Sequence, residues 1–228
     1  MPFRGALMVV PTRSKRILLA AVAVLLARVF VGILLEYRWY LPADFDESAF
    51  LSGRRYTFTG LYPAFFYVHI LSGPIAIALA SFLILSGGHA RLRTWHRLAG
   101  RALVLIVLLL LFPSGLFMAS QAYAGPPAAA GFGMLSLLTA TAALMSGYHA
   151  RARRFALHQR WAQRCFLLLV SPLILRLMAG AAIVMDIESE WTYRLNAWLS
   201  WLAPLIVFEF SKSQRIFHSP YSLRSVRT

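Results

Sequence analysis

A single cysteine, Cys165, leaves this 228-residue chain without an intramolecular disulfide, a cysteine-based zinc site or an iron–sulfur cluster. Carboxylates are nearly as scarce. Eight Asp and Glu stand against 23 Lys and Arg, and among the acids only Glu209 falls within an apolar run, at its inner end. Ser-His-Asp hydrolysis therefore lacks its third member. Paired metal carboxylates, a phosphate loop and a dinucleotide fingerprint are missing too. No internal repeat is evident, so the inverted halves of many transporters are only weakly suggested, by prolines alone.

What is present in quantity is apolar surface. Hydrophobic residues make up 59% of the chain and charged residues 14%, with a mean hydropathy of +0.65, whereas a soluble domain is apolar to about one half. Six runs are long enough to cross a bilayer: about 17–35, 63–85, 99–121, 131–148, 165–185 and 194–211. The sequence predicts an all-α integral membrane protein, a six-helix bundle over 1–228 as a single transmembrane domain, with helices two to five forming the core. The first run follows Arg13, Lys15 and Arg16 like a signal peptide. It is too long for a signal's apolar segment and no small-residue cleavage site follows, so it is read as helix one. Pro74, Pro113, Pro172 and Pro204 fall inside helices two, three, five and six, and each frees a carbonyl four residues earlier. Ser72-Gly73, Ser114-Gly115, Ser136 and Ser146-Gly147 are small residues suited to close helix approach.

Charge sorts by loop. Of the 23 basic residues, 17 fall in the N-terminus, the 86–101 loop, the 149–164 loop and the C-terminal tail, and seven of the eight acids lie in the alternate loops. The positive-inside rule then predicts cytoplasmic termini and a multi-pass protein of the bacterial inner membrane. The outer exceptions Arg38, Arg54, Arg55 and Arg194 are offset by Asp44, Asp46, Glu47, Glu188 and Glu190. The net charge of +15 thus reads as topology, with anionic lipids as a secondary partner and no nucleic acid. The outer segment 36–62 carries eight aromatics, expected as an interfacial belt.

Polar groups inside apolar runs call for a partner. Arg28 and Arg176 sit near the middle of two runs with no acid at their depth, and His69 lies in the outer half of another. A five-turn spacing places His158 and Arg176 on one stripe of helix five, predicted to face inward, and an axial offset of about 6 Å would let Arg176 reach His69. Arg28, His69 and Arg176 are therefore candidates to bind an anion or a quinone. His96, His149 and His158 stand at the inner ends of three runs, whereas His89 and His218 are expected as interfacial residues.

Two inner segments pair His and Arg beside Trp: Thr94-Trp95-His96-Arg97 through Arg101, and His149-Ala150-Arg151 through His158-Gln159-Arg160-Trp161. With Val68-His69-Ile70-Leu71-Ser72-Gly73 and Leu175-Arg176-Leu177, the stretch 63–185 resembles a bacterial predicted-membrane-protein family of unknown function, the domain of unknown function 2306 type. It is also loosely similar to transmembrane di-haem b cytochromes, whose central helices carry histidines. That resemblance implies haem b, with His69, His96, His149 and His158 as ligand candidates, His96 and His158 as the preferred inner metal-ligating pair and His149 as substitute. Only His69 lies in the outer half, so a second haem would need a partner such as Met118 or Met134. The function expected is a b-type haem or quinone-linked electron-transfer component. The alternative is a non-catalytic accessory subunit or assembly factor of a larger membrane complex.

Overall fold

A computed structural model describes residues 12–48 and 50–217 of the chain; His218 lies outside them. The chain divides into two compact units at the Ser52/Gly53 boundary. The first contains α1, Thr12–Leu35, followed by a 3-10 turn, Glu36–Trp39. Among its described residues Tyr40, Ser48 and Leu51 are buried. Beyond the turn the Asp44 carboxylate accepts the backbone N–H groups of Asp46 and Glu47, both at 3.0 Å, which tightens the chain without a helix.

The second unit is a helical bundle: α2 Tyr62–Ser86, α3 Arg93–Ile106, a π turn Val107–Leu111, α4 Phe112–Ser120, α5 Pro126–Arg151, α6 Phe155–Val184 and α7 Glu190–Phe217. The π turn has a local cause. Pro113 has no N–H for a bond to Leu109 and its ring crowds that carbonyl, and the wider turn, in which Phe112 N–H bonds Val107 carbonyl, absorbs the misfit. At Pro172 the corresponding free carbonyl, that of Leu168, accepts the Ser171 hydroxyl at 2.7 Å, so it serves the helix itself.

Several helices run past their expected ends. The third span begins at Arg93 rather than 99, the fourth covers Pro126–Arg151, and the fifth begins at Phe155 rather than 165. Arginine, glutamine and leucine are good helix formers, and charge sets where the membrane ends, not where the helix ends. The expected 149–164 loop therefore shrinks to residues 152–154, where Arg153 turns the chain with φ of +57°. His149 and His158 consequently lie on helices.

Packing inverts the soluble pattern. The main core joins Ala76 and Ala80 of α2, Leu103 and Val107, Ala140, Ala142 and Ala143 of α5, Cys165, Leu168 and Leu169 of α6, and Trp201 of α7. Helices two to five are thus at the centre, and α7 adds a tryptophan. Ala76, Ala128 and Ala197 are 0% exposed, whereas Leu85, Leu109 and Val184 are 75%, 66% and 87% exposed. Small residues inside and large apolar ones outside suit helices packed in lipid. Among the described residues five helices are long and apolar enough to span a membrane, the π-turn helix pair counted as one; α7 is long but less apolar.

α7 is fastened at both ends. The Arg164 guanidinium donates to both Glu209 oxygens, at 2.6 and 3.0 Å, and lies over Trp161. Arg194 donates to Ala124 carbonyl at 2.8 Å and to Glu190 at 2.9 Å. Between them Gly131 permits the closest approach of α5: an added Cβ would stand 3.0 Å from Ala197 oxygen and 3.1 Å from Trp198 Nε1.

Candidate functional site

Four helix ends bring two histidines together. His96 lies one turn into α3 and His158 one turn into α6, and their rings are 6.5 Å apart, nearly perpendicular at 78°. Both are half-buried. His158 Nδ1 lies 3.0 Å from the Ser146 carbonyl and 3.1 Å from its hydroxyl. A carbonyl only accepts, so Nδ1 carries the hydrogen and Nε2 is left with its lone pair. His96 Nδ1 meets Ser86 Oγ at 2.9 Å, which holds that ring at the same nitrogen. Both imidazoles are thus held at Nδ1, His158 by α5 and His96 by the end of α2, and for His158 the hydrogen on Nδ1 leaves Nε2 as the nitrogen with a lone pair.

This arrangement fits an axial pair better than a bare ion. Among the described residues no group of three or more His, Cys, Asp or Glu could hold a metal, and a zinc site normally needs three or four protein ligands. Haem iron needs only two axial ligands. Two imidazoles at about 2 Å from one metal also have ring centres about 6 Å apart, close to the separation observed.

The other candidates are dispersed. His149 is buried at 6% exposure in the last turn of α5, edge-on to Tyr148, and its Nδ1 has no hydrogen-bond partner. His69, in α2, has Nδ1 3.2 Å from Ser114 Oγ. No hydrogen bond joins it to Arg176. Arg176 is exposed, and so is Arg28 in the first unit. On α6, which contains Pro172, His158 is half-buried and Arg176 exposed. His89 is exposed, as an interfacial residue would be.

Two residues that position the histidines were not recognisable from sequence as doing so. Ser86 was unremarkable at a helix end, and Ser146 read as a packing residue. Their partners lie ten and twelve residues away on the next helix, and no periodicity signals such a pairing. Arg164 likewise read as one of the topology-setting arginines, whereas it makes a bidentate pair with Glu209.

No curated protein and no solved structure matches this chain. A family model does, over residues 66–211, which include α3 to α6 and all four intramembrane and inner-end histidines. The multi-pass helical architecture agrees with it, and the chain belongs to the predicted membrane protein family DUF2306.

Proposed function

We propose that this membrane protein is a b-type haem electron-transfer component of the bacterial inner membrane, with His96 and His158 as the axial pair. The observation that carries the reading is the pair itself: two neighbouring rings, 6.5 Å apart, each hydrogen-bonded at Nδ1. A bound haem would supply one-electron redox chemistry. The chain's own contribution is to hold ligands. The Ser146 carbonyl fixes the His158 tautomer and raises the basicity of Nε2, as second-layer acceptors do for metal-bound histidines. Ser86 fixes the orientation of His96 from a different helix.

The decisive experiment is absorbance of the purified protein from haem-replete cells. A reducible Soret and alpha band at about one haem per chain is expected. A colourless preparation overturns the reading. Charge sorting further supports cytoplasmic termini, so reporter fusions after Gln121 and Ile187 should both report the periplasm. The exposed inner arginines, among them Arg91, Arg97, Arg151 and Arg154, suit anionic lipid headgroups.

A second reading is favoured by the same hydrogen bonds. Ser86–His96 ties α2 to α3 and Ser146–His158 ties α5 to α6, which is what a non-catalytic accessory subunit of a larger complex would need. In that case replacing His96 and His158 by Asn, which keeps a side-chain hydrogen-bonding group, leaves stability and assembly intact. The haem reading requires loss of the cofactor in the same variants.

A further inference from the structure

Arg28 stands alone inside α1. Between Arg16 and Glu36 it is the one charged residue, and it makes no hydrogen bond or ion pair among the described residues. The N-terminal end of the span, Arg16, is about 18 Å away along the axis, too far for one side chain to reach. The C-terminal end at Leu35 is about 10 Å ahead, but a helical Cα–Cβ bond tilts toward the N-terminus, away from it. Snorkelling therefore serves this arginine poorly in either direction, and a charge left in hydrocarbon is costly.

The two faces of α1 differ. Leu26, Val29, Phe30 and Ile33 recur at helical spacing and are half-buried. At 3.6 residues per turn Leu26, Phe30 and Ile33 lie about 140–160° round the helix from Arg28. Ala21, Val24, Leu25, Val31, Gly32 and Leu35, placed three, four and seven residues from Arg28, share its face, and all are exposed. An added Cβ at Gly32 would meet nothing within 4 Å, so a second helix can come close beside the arginine. The protein covers one side of α1 and leaves bare the side that carries the charge.

The matching anion is not supplied by this chain. Glu209 is the one acid inside an apolar run, and Arg164 holds both of its oxygens, at 2.6 and 3.0 Å. Glu36, the nearest acid in sequence, lies about 12 Å farther along the axis. A second copy would bring the same set and no free carboxylate at mid-depth. We infer that the Arg28 face of α1 docks a transmembrane helix of a different protein, one that carries an aspartate or glutamate at mid-span. The guanidinium fork matches a carboxylate with two parallel hydrogen bonds, and Ala21 and Gly32 on the same face give the partner backbone room. The interface holds under either reading of the inner histidines.

Photocrosslinking of the full-length protein in native membranes tests this. Benzoylphenylalanine placed at Val24 or Val31 should give an adduct with a different protein, and mass spectrometry of the adduct should find a mid-span carboxylate in the crosslinked helix. The same group placed at Phe30, on the covered side, should not. Arg28→Leu should cut the adduct about tenfold or more, the size of one charge-assisted hydrogen bond, whereas Arg28→Lys should retain much of it. Leucine is favoured in a spanning helix, so membrane yield and melting curves should show the variant inserted and folded. The proposal is overturned by the lack of an adduct, by adducts confined to lipid, to a second copy or to other segments of this chain, by a partner helix without a carboxylate, or by an adduct that Arg28→Leu leaves undiminished.

Discussion

The inner histidines and the outer one are gripped alike and placed differently. In each ring Nδ1 meets a serine, and for His158 also a carbonyl, within 2.9 to 3.2 Å. His96 and His158 come as neighbours from two helices, 6.5 Å apart. His69 instead meets Ser114 and the Leu111 backbone, with Gly115 alongside. A lone imidazole between helices serves packing and hydrogen bonding, while two side by side are what the proposed ligand pair requires. A polar residue in a bundle is defined by its neighbours more than by its depth.

The sharpest way to break this comparison is to remove the ligands one at a time. His158→Ala or His96→Ala should cut the haem-to-protein ratio from about one to near zero, whereas His69→Ala should leave it unchanged. Equal losses from all three, measured by pyridine haemochrome absorbance, would mean that inner and outer histidines do not differ in role.

Space provides a smaller contrast. Gly115→Ala drives a Cβ to 2.7 Å from Ser136 Oγ, while Gly147→Ala at the inner end meets only Val104 at 3.4 Å. The first should cost about 1–3 kcal/mol as overpacking and the second under about 0.5 kcal/mol. Thermal denaturation in detergent compares them. If Gly147→Ala is the more damaging, the outer seam is not the tighter one.

The serine anchors should differ more finely. Ser114→Ala removes a hydrogen-bond partner of His69 and should cost about 1 kcal/mol. Ser146→Ala keeps the carbonyl that bonds His158 Nδ1, so its effect should be less than half as large and the Soret position should not move. A displaced Soret would show that the hydroxyl, not the carbonyl, sets the His158 tautomer.

Least of all should come from the ion pair that fastens α7. Arg164→Gln breaks a bidentate contact whose side chains are 25% and 44% exposed, and partly exposed pairs contribute about 0.2–1 kcal/mol. Melting curves at low and high salt should converge in the variant and not in the parent. The same change should leave all three histidines unaffected.

Much of the architecture was legible because the bilayer reads composition. Runs of about twenty apolar residues had to be helices, since backbone groups in hydrocarbon must bond within their own segment. Helix ends were misplaced at 99 and 165 because the charged residues that stop a membrane span are good helix formers. The histidines could be listed, and His96 with His158 was the preferred pair. Helix geometry alone relates His158 to Arg176, and their different exposure is set by the helices packed around α6.

By itself the sequence determined the class: apolar length demanded spanning helices, scarce acids and one cysteine removed most catalytic and metal chemistries, and the sorting of arginines implied an orientation. Those conclusions follow from solvent alone. Tertiary structure decided the sites. What His69 bonds to depends on how α2 meets α4, and which histidines adjoin depends on how α2, α3, α5 and α6 meet. Gly115 and Gly131 look like any small residue until a neighbouring helix comes within 3 Å of the missing side chain. Contacts between helices arise from complementary surfaces far apart in the chain, and no local pattern carries them.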